Sequence, residues 1–339
     1  MAHTRHLFPG CNTAFGFVGY FEDLHARARR TVILKGGPGV GKSTLMSRAG
    51  KHFEKLGMAA EYYHCSGDPD SLDAVYAPQA GFLILDGTAP HVVDPTAPGA
   101  RDGILNLGVC LNERRMEKQA EEIAALSRDI SACYAQATRY LRSALAVRQD
   151  AAAVYGAALD EKDARMLRRE LLALLPGGGE GESMNAFAQA ITWKGVLQET
   201  DTVLTETNYC LDLPWGFDAD ALLRPLWEEA VWRGAGRAAY HDPLDPGKLL
   251  HVTVGKAAFT TAVMMDAPVF APALDASVLR RESARLAFDR AACELMQNQA
   301  VEALGRAKAG HDALERCYID AMDYAHLEEI QFEFLKTLP

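Results

Sequence analysis

The chain lacks a cysteine framework. Its seven cysteines stand singly, without a C-x-x-C pair, which argues against a disulfide-stapled fold and for reduced thiols. No stretch approaches the roughly 20 uninterrupted apolar residues of a membrane helix. Met1-Ala2-His3-Thr4-Arg5-His6 has no apolar core behind it, so no secretory signal and no membrane association are expected, and the expected location is cytoplasmic. Positive charge is short: 35 Lys and Arg face 45 Asp and Glu, for a net charge of −10. Nucleic-acid affinity rests mainly on phosphate neutralisation by basic side chains. Arg27-Ala28-Arg29-Arg30 and Arg165 to Arg169 are short clusters that read as solvated helix faces, so nucleic acid is not an expected partner.

What remains is an ordinary globular composition, 49% apolar and 24% charged over 339 residues, long enough for two domains. One segment stands out. Gly36-Gly37-Pro38-Gly39-Val40-Gly41-Lys42-Ser43-Thr44 fits the phosphate-binding pattern G-x-x-x-x-G-K-[ST] in full. Thr31-Val32-Ile33-Leu34 before it reads as a buried strand. Leu45, Ala49, Phe53 and Leu56 behind it recur at helical spacing. Glycines let the backbone N–H groups curl inward towards phosphate oxygens, and the helix N-terminus adds partial positive charge. Lys42 would reach the β- and γ-phosphates, and Ser43 would ligate Mg²⁺.

The chain also echoes itself. Tyr63-His64 and Asp68-Pro69 recur as Tyr240-His241 and Asp245-Pro246, a shift of 240 − 63 = 177. The same shift pairs Leu34 with Leu211, Gly39 with Gly216, Leu45 with Leu222 and Gly57 with Gly234. Phe8, Thr13 and Gly16 pair with Phe187, Thr192 and Gly195 at 179, and Tyr155, Ala158 and Asp160 with Tyr318, Ala321 and Asp323 at 163. Ordered matches of this kind imply duplication. The expected division is an active half 1–175 with a helical arm 113–173, a glycine-rich linker 176–184, and a second half 185–339 with an arm 276–336. The second loop, Leu213 to Asp220, has no lysine, and Asp218 and Asp220 would oppose phosphates. Two like charges about 4 Å apart repel by roughly 4 kcal/mol at an effective dielectric near 20. The second half is expected to keep the fold without the nucleotide site.

At this point the chain resembles a family of uncharacterised bacterial ATPases built from two tandem P-loop halves. Arg5-His6-Leu7-Phe8, the glycine loop, His64-Cys65-Ser66, Asp68-Pro69-Asp70-Ser71-Leu72-Asp73 and Asp86-Gly87-Thr88-Ala89-Pro90-His91 carry the resemblance, and Tyr318 to Asp323 is similar to the family's carboxy-terminal helical segment. It implies an α/β fold: a duplicated three-layer αβα P-loop NTPase with parallel sheets and long coiled-coil-like helical insertions. In such proteins both halves can carry the loop; here only the first is intact.

Ala80-Gly81-Phe82-Leu83-Ile84-Leu85-Asp86 reads as an apolar strand ending in a carboxylate, the Walker B form, with Asp86 facing the Mg²⁺. The next residue is Gly87, where many hydrolytic ATPases carry a glutamate. Candidates to act in its place are His91 and Asp94 after Asp86, and His64 and Asp68 (with Asp70) at the end of a strand Ala59 to His64 expected beside the loop. Asp68, Asp70 and Asp73 also read as turn formers and a helix cap. Arg101, Arg114, Arg115, Arg233 and Arg237 are candidate arginine fingers. The absence of an N-K-x-D segment favours ATP over GTP.

From Met116 to Val154 apolar residues recur every seven, at Met116, Ile123, Ile130, Ala137, Ala144 and Ala151, the pattern of a coiled coil. A continuous helix there would be roughly 58 Å long. The second half shows Leu286, Cys293, Ala300, Ala307 and Leu314. The expectation is a bundle joining the halves into an intramolecular pseudo-dimer, with a lid or partner-binding arm as the alternative. Three functions follow: an Mg²⁺-dependent ATPase with cofactors ATP and Mg²⁺, a small-molecule or nucleotide kinase, or a non-hydrolytic ATP-dependent module binding an unknown protein partner.

Overall fold

The computed structural model describes residues 4–178, 182–262, 264 and 266–339. The expected linker 176–184 falls partly outside them, at 179–181. The first half runs β1 (Arg5–Leu7), β2 (Gly10–Thr13), β3 (Gly16–Gly19), α1 (Phe21–Arg27), β4 (Arg30–Lys35), α2 (Lys42–Lys55), β5 (Glu61–His64), β6 (Leu72–Ala77), β7 (Phe82–Asp86), β8 (Asp102–Asn106), α3 (Glu113–Lys118), α4 (Ala120–Ala158) and α5 (Glu161–Ala173). The second half runs β9 (Ser183–Ala186), β10 (Gln189–Thr192), β11 (Gly195–Gln198), β12 (Thr207–Leu211), α6 (Asp220–Trp232), β13 (Arg237–His241), β14 (Leu249–Val254), β15 (Ala257–Thr260), β16 (Val269–Phe270), α7 (Ala276–Arg281), α8 (Ser283–Ile319) and α9 (Tyr324–Leu335).

Each half builds a six-stranded sheet. The orders β1-β5-β6-β7-β4-β8 and β9-β13-β14-β15-β12-β16 coincide strand by strand. The pairing senses coincide too. β6 and β14 run antiparallel to both neighbours and the remaining pairs are parallel. The sheets are therefore mostly parallel rather than all parallel. The reason is local: only residues 78–81 join β6 to β7, enough for a hairpin and too few for a parallel crossover. A second correction concerns β5. It forms close to where it was expected, but β6 and β7 separate it from β4.

The core follows from the apolar strands. Leu45, Met46, Ala49 and Phe53 of α2 pack on Val32, Leu34, Val75 and Ile84. The opposite face of the first sheet, with Ile33, Tyr63, Tyr76, Leu83 and Leu85, packs against Leu24 of α1 and against Met184, Ala186, Ala238 and Tyr240 of the second half. Each such buried aliphatic or aromatic side chain contributes about 1.5–3 kcal/mol, so this shared layer ties the halves together. Repeat-related residues meet across it: Phe8 N–H donates to Phe187 O at 2.9 Å, and Phe187 N–H to Phe8 O at 3.0 Å. Self-pairing of equivalent positions is the signature of an approximate two-fold axis.

The long helices cross that axis. α4 and α8 lie antiparallel, with Asp150 on Arg285 and Gln136 on Arg306 (3.0 Å). The expected heptad positions Ala137, Ala144, Ala151, Cys293, Ala300 and Ala307 are buried, and these small side chains permit close approach. The helix expected from Met116 breaks at Gln119 and continues to Ala158. Beyond the pair the halves exchange helices. Asp160 caps α5, which buries Leu167 and Leu171 against Leu222 and Leu226 of the second half. Asp323 caps α9, which buries Leu327 in the α2 core of the first. No helix among the described residues is long and apolar enough to cross a membrane.

Candidate functional site

Between β4 and α2 the chain turns through the glycine loop 36–41. Gly36, Gly39 and Gly41 take φ of 142°, 73° and 85°, values that side-chain-bearing residues rarely adopt. Turns of this kind make a concave backbone that can cradle an anion. The N–H groups of Gly39, Val40 and Gly41 donate to no acceptor among the described residues. Lys42 opens α2 and folds its Nζ back onto Gly36 O and Gly37 O, both at 2.7 Å. It also lies 3.5 Å from Asp86 Oδ2, with both side chains largely buried.

Asp86 ends β7 directly beside β4, where the register pairs it with Leu34. Its Oδ1 accepts from Thr88 N (2.9 Å) and Thr88 Oγ1 (2.6 Å), which leaves Oδ2 turned to Lys42. Ser43 Oγ accepts from Leu72 N at 3.0 Å. Ser43 and Asp86 are thus two oxygen donors at the mouth of one loop. That donor set fits Mg²⁺, which takes few protein oxygens and keeps several waters.

His91 lies in the same place. It stacks on Phe21 at 4.4 Å between ring centroids. Its Nδ1 is 3.0 Å from Asp86 O and its Nε2 is 3.6 Å from Asp73 Oδ1. Burial pulls its pKa down, but the hydrogen bond and charge of Asp73 and the charge of Asp86 outweigh this and raise it.

The other candidates are engaged elsewhere. His64 Nε2 lies 2.9 Å from His6 Nδ1, its Nδ1 is held at Pro69 O, and burial lowers its pKa. Asp68 accepts from Ser71 Oγ and faces Lys308 at 3.7 Å, which makes it a turn former. Asp70 pairs with Lys194 at 2.6 Å. Asp94 is exposed, 3.4 Å from Lys35. Arg101 caps His25 O and Ala28 O at the opposite end of β4. Arg233 holds Glu229 and Pro176 O, and Arg237 holds Ala235 O at the start of β13. Arg115 binds Asp320 O at 2.7 Å, behind the end of α8. Arg114 makes no hydrogen bond or ion pair among the described residues.

Three groups were not legible as site residues. Asp73 reads as a turn or cap in the sequence but sits on β6, buried, and its Oδ2 has no hydrogen-bond partner among the described residues. Ser66 Oγ is likewise buried with no hydrogen-bond partner among them. The third group belongs to the other half. On α8, Lys308, His311, Glu315 and Tyr318 share one face by helical spacing. Lys308 reaches Asp68. A methyl group on Gly39 would lie 2.7 Å from Glu315 Cγ, and one on Gly37 would lie 2.2 Å from the Tyr318 ring. Gln331 of α9 donates to Gly41 O (3.3 Å) and accepts from Arg48 (3.0 Å). The second half therefore walls the first half's loop. His311, Asp312 and Glu315 also bring ligand-type atoms within 4.8 Å of one another, with Asp312 paired to Lys308.

The glycines are thus shaped by a neighbour as well as by backbone conformation. Gly37→Ala is expected to cost about 1–3 kcal/mol through overpacking. Adding Tyr318→Ala should recover at least about 1 kcal/mol relative to additivity. Urea unfolding of the two single variants and the double variant checks this, and strict additivity would contradict the contact.

The second loop has the same turn, with Gly216 at φ 86°, and it is walled reciprocally by Ala151 and Tyr155 of α4. Its chemistry differs. Asp220 stands where Ser43 does, accepting Leu249 N at 2.9 Å as Ser43 accepts Leu72 N. Asp218 pairs with Lys248 and Asp220 with Arg224, both at 2.7 Å. Both acids therefore already face cationic partners. At the other matching positions Ala219 stands where Lys42 does, Leu250 where Asp73 does, and strand register puts Thr261 in the place of Asp86. No family model, curated protein or solved structure matches this chain.

Proposed function

We propose that the chain is an Mg²⁺-dependent P-loop ATPase of tandem type with a single working nucleotide site in its first half. The observation that supports this best is the convergence of Lys42, Ser43 and Asp86 on a glycine nest with unpartnered N–H groups. Those N–H groups and the α2 N-terminus bind the phosphates. Lys42 exchanges its contacts to Gly36 O and Gly37 O for phosphate oxygens. Ser43 and Asp86 Oδ2 would hold the metal, which would supply charge neutralisation for the phosphates. Glu315 and Tyr318 line the loop from the second half. The second half acts as a scaffold and wall, with its own acids held by Lys248 and Arg224. Phosphoryl transfer to a hydroxylated small molecule is the second reading, favoured by Gly87 standing where many hydrolytic ATPases carry a glutamate.

Incubation with Mg·ATP tests both readings. Inorganic phosphate released in step with ADP supports hydrolysis. ADP without phosphate, formed only when a metabolite extract is added, supports transfer. No ADP under either condition contradicts both.

A further inference from the structure

We infer that Asp73 accepts the proton of the water that attacks ATP, in place of the glutamate missing after Asp86. This inference rests on the ATPase reading above. Antiparallel register pairs Ala74 with Leu85, which places Asp73 across from Asp86. Asp86 alternates with Phe82 and Ile84 on the face covered by α2. Asp73 is the extra residue of a β-bulge, since Tyr63 pairs with Ala74 and His64 with Leu72, and its Oδ1 lies 3.6 Å from His91 Nε2, whose Nδ1 is 3.0 Å from Asp86 O. The preceding residue, Leu72, binds Ser43 Oγ. Asp73 therefore follows the residue bound to Ser43 and lies across the strands from Asp86.

Its environment suits a proton acceptor. The side chain is 7% exposed, Oδ1 faces His91, and Oδ2 has no hydrogen-bond partner among the described residues. A buried carboxylate oxygen without a partner carries a desolvation cost that a fold does not retain without compensation; a water held there for reaction supplies the missing donor. Position 87 cannot take the role, since Gly87 has no side chain and a Cβ there would lie 2.4 Å from Ile33 Cγ2. In the second half, which lacks the loop lysine, the matching residue is Leu250, so carboxylate and lysine are lost together. The step balances: the water oxygen bonds to the γ-phosphorus, the bond from that phosphorus to the β–γ bridging oxygen breaks, ADP leaves with that electron pair, and the water proton passes to Asp73 Oδ2.

The test uses the full chain with Asp73→Asn and Asp73→Ala, each examined for Mg·ATP-dependent thermal stabilisation and for phosphate release. Both variants should keep the wild-type nucleotide shift and KM while kcat falls by about 10²–10⁴-fold. Added formate should restore part of the turnover of Asp73→Ala and none of that of Lys42→Ala, an outcome a purely structural role does not produce. Asp73→Asn turning over within threefold of wild type would overturn the inference and leave the ATPase reading intact. Wild type that neither shifts nor releases phosphate would overturn both.

Discussion

Lys42→Ala is expected to abolish most of the stabilisation that Mg·ATP gives the folded chain. Lys42 is a largely buried cation 3.5 Å from Asp86 and bonded to two loop carbonyls. Truncating one member of a buried charge pair costs about 2–5 kcal/mol, so affinity should fall at least about 30-fold at 1.4 kcal/mol per factor of ten. Ligand at 100 times its dissociation constant stabilises the wild type by about 2.7 kcal/mol. If the variant binds 100-fold more weakly, the same concentration gives about 0.4 kcal/mol. Chemical unfolding with and without Mg·ATP reads both values. An unchanged difference in the variant would remove Lys42 from the site.

Acid should weaken the fold through its second half. His251 is fully enclosed beside Thr260, and burial pushes its pKa down to about 4. His241 is held at Pro246 O, and burial likewise pushes it to about 4. Each prefers the neutral form when folded, while the unfolded chain takes up a proton near pH 6.5. Their stability contribution is complete above pH 6.5 and is lost as pH falls towards 4. At pH 5 the loss is about 2 kcal/mol per histidine, or about 4 kcal/mol for the pair. His64 adds in the same direction. His91, with its raised pKa, acts in the opposite sense: its contribution is present below pH 6.5 and fades as pH rises through its folded value. Urea unfolding at pH 7.5 and pH 5 measures the difference. The double variant His241→Gln/His251→Gln should show a much flatter dependence. A wild-type stability that changes by less than about 1 kcal/mol would contradict the burial account.

Much of this was legible in the chain because local pattern dictates local structure. The glycine loop declared itself by spacing, and the repeat of Tyr63-His64 and Asp68-Pro69 anticipated two sheets of identical strand order. Asp86 was legible because an apolar strand ending in an acid has few other uses. Asp73 was not. Asp-Pro-Asp-Ser-Leu-Asp reads as a turn and cap, and β6, buried along its whole length and bulged at Asp73, offers no alternation to reveal it. The placement of β5 depended on that same missed strand. The wall of Glu315 and Tyr318 lay beyond sequence reasoning for another reason. Their contact with Gly37 and Gly39 arises from the path of α8 across the two-fold axis, 315 − 39 = 276 and 318 − 37 = 281 residues along the chain. The repeat that pairs Tyr155 with Tyr318 was a usable signal, since both tyrosines face the loop of the opposite half.

The central claim is one nucleotide site in a duplicated chain. Isothermal titration of Mg·ATP into the full chain tests it most directly. The account predicts one molecule bound per chain in the wild type, unchanged by Asp218→Ala, and no measurable binding in Lys42→Ala at the same concentration. Two sites per chain, no binding to the wild type, or binding that survives Lys42→Ala at full stoichiometry and affinity would contradict it.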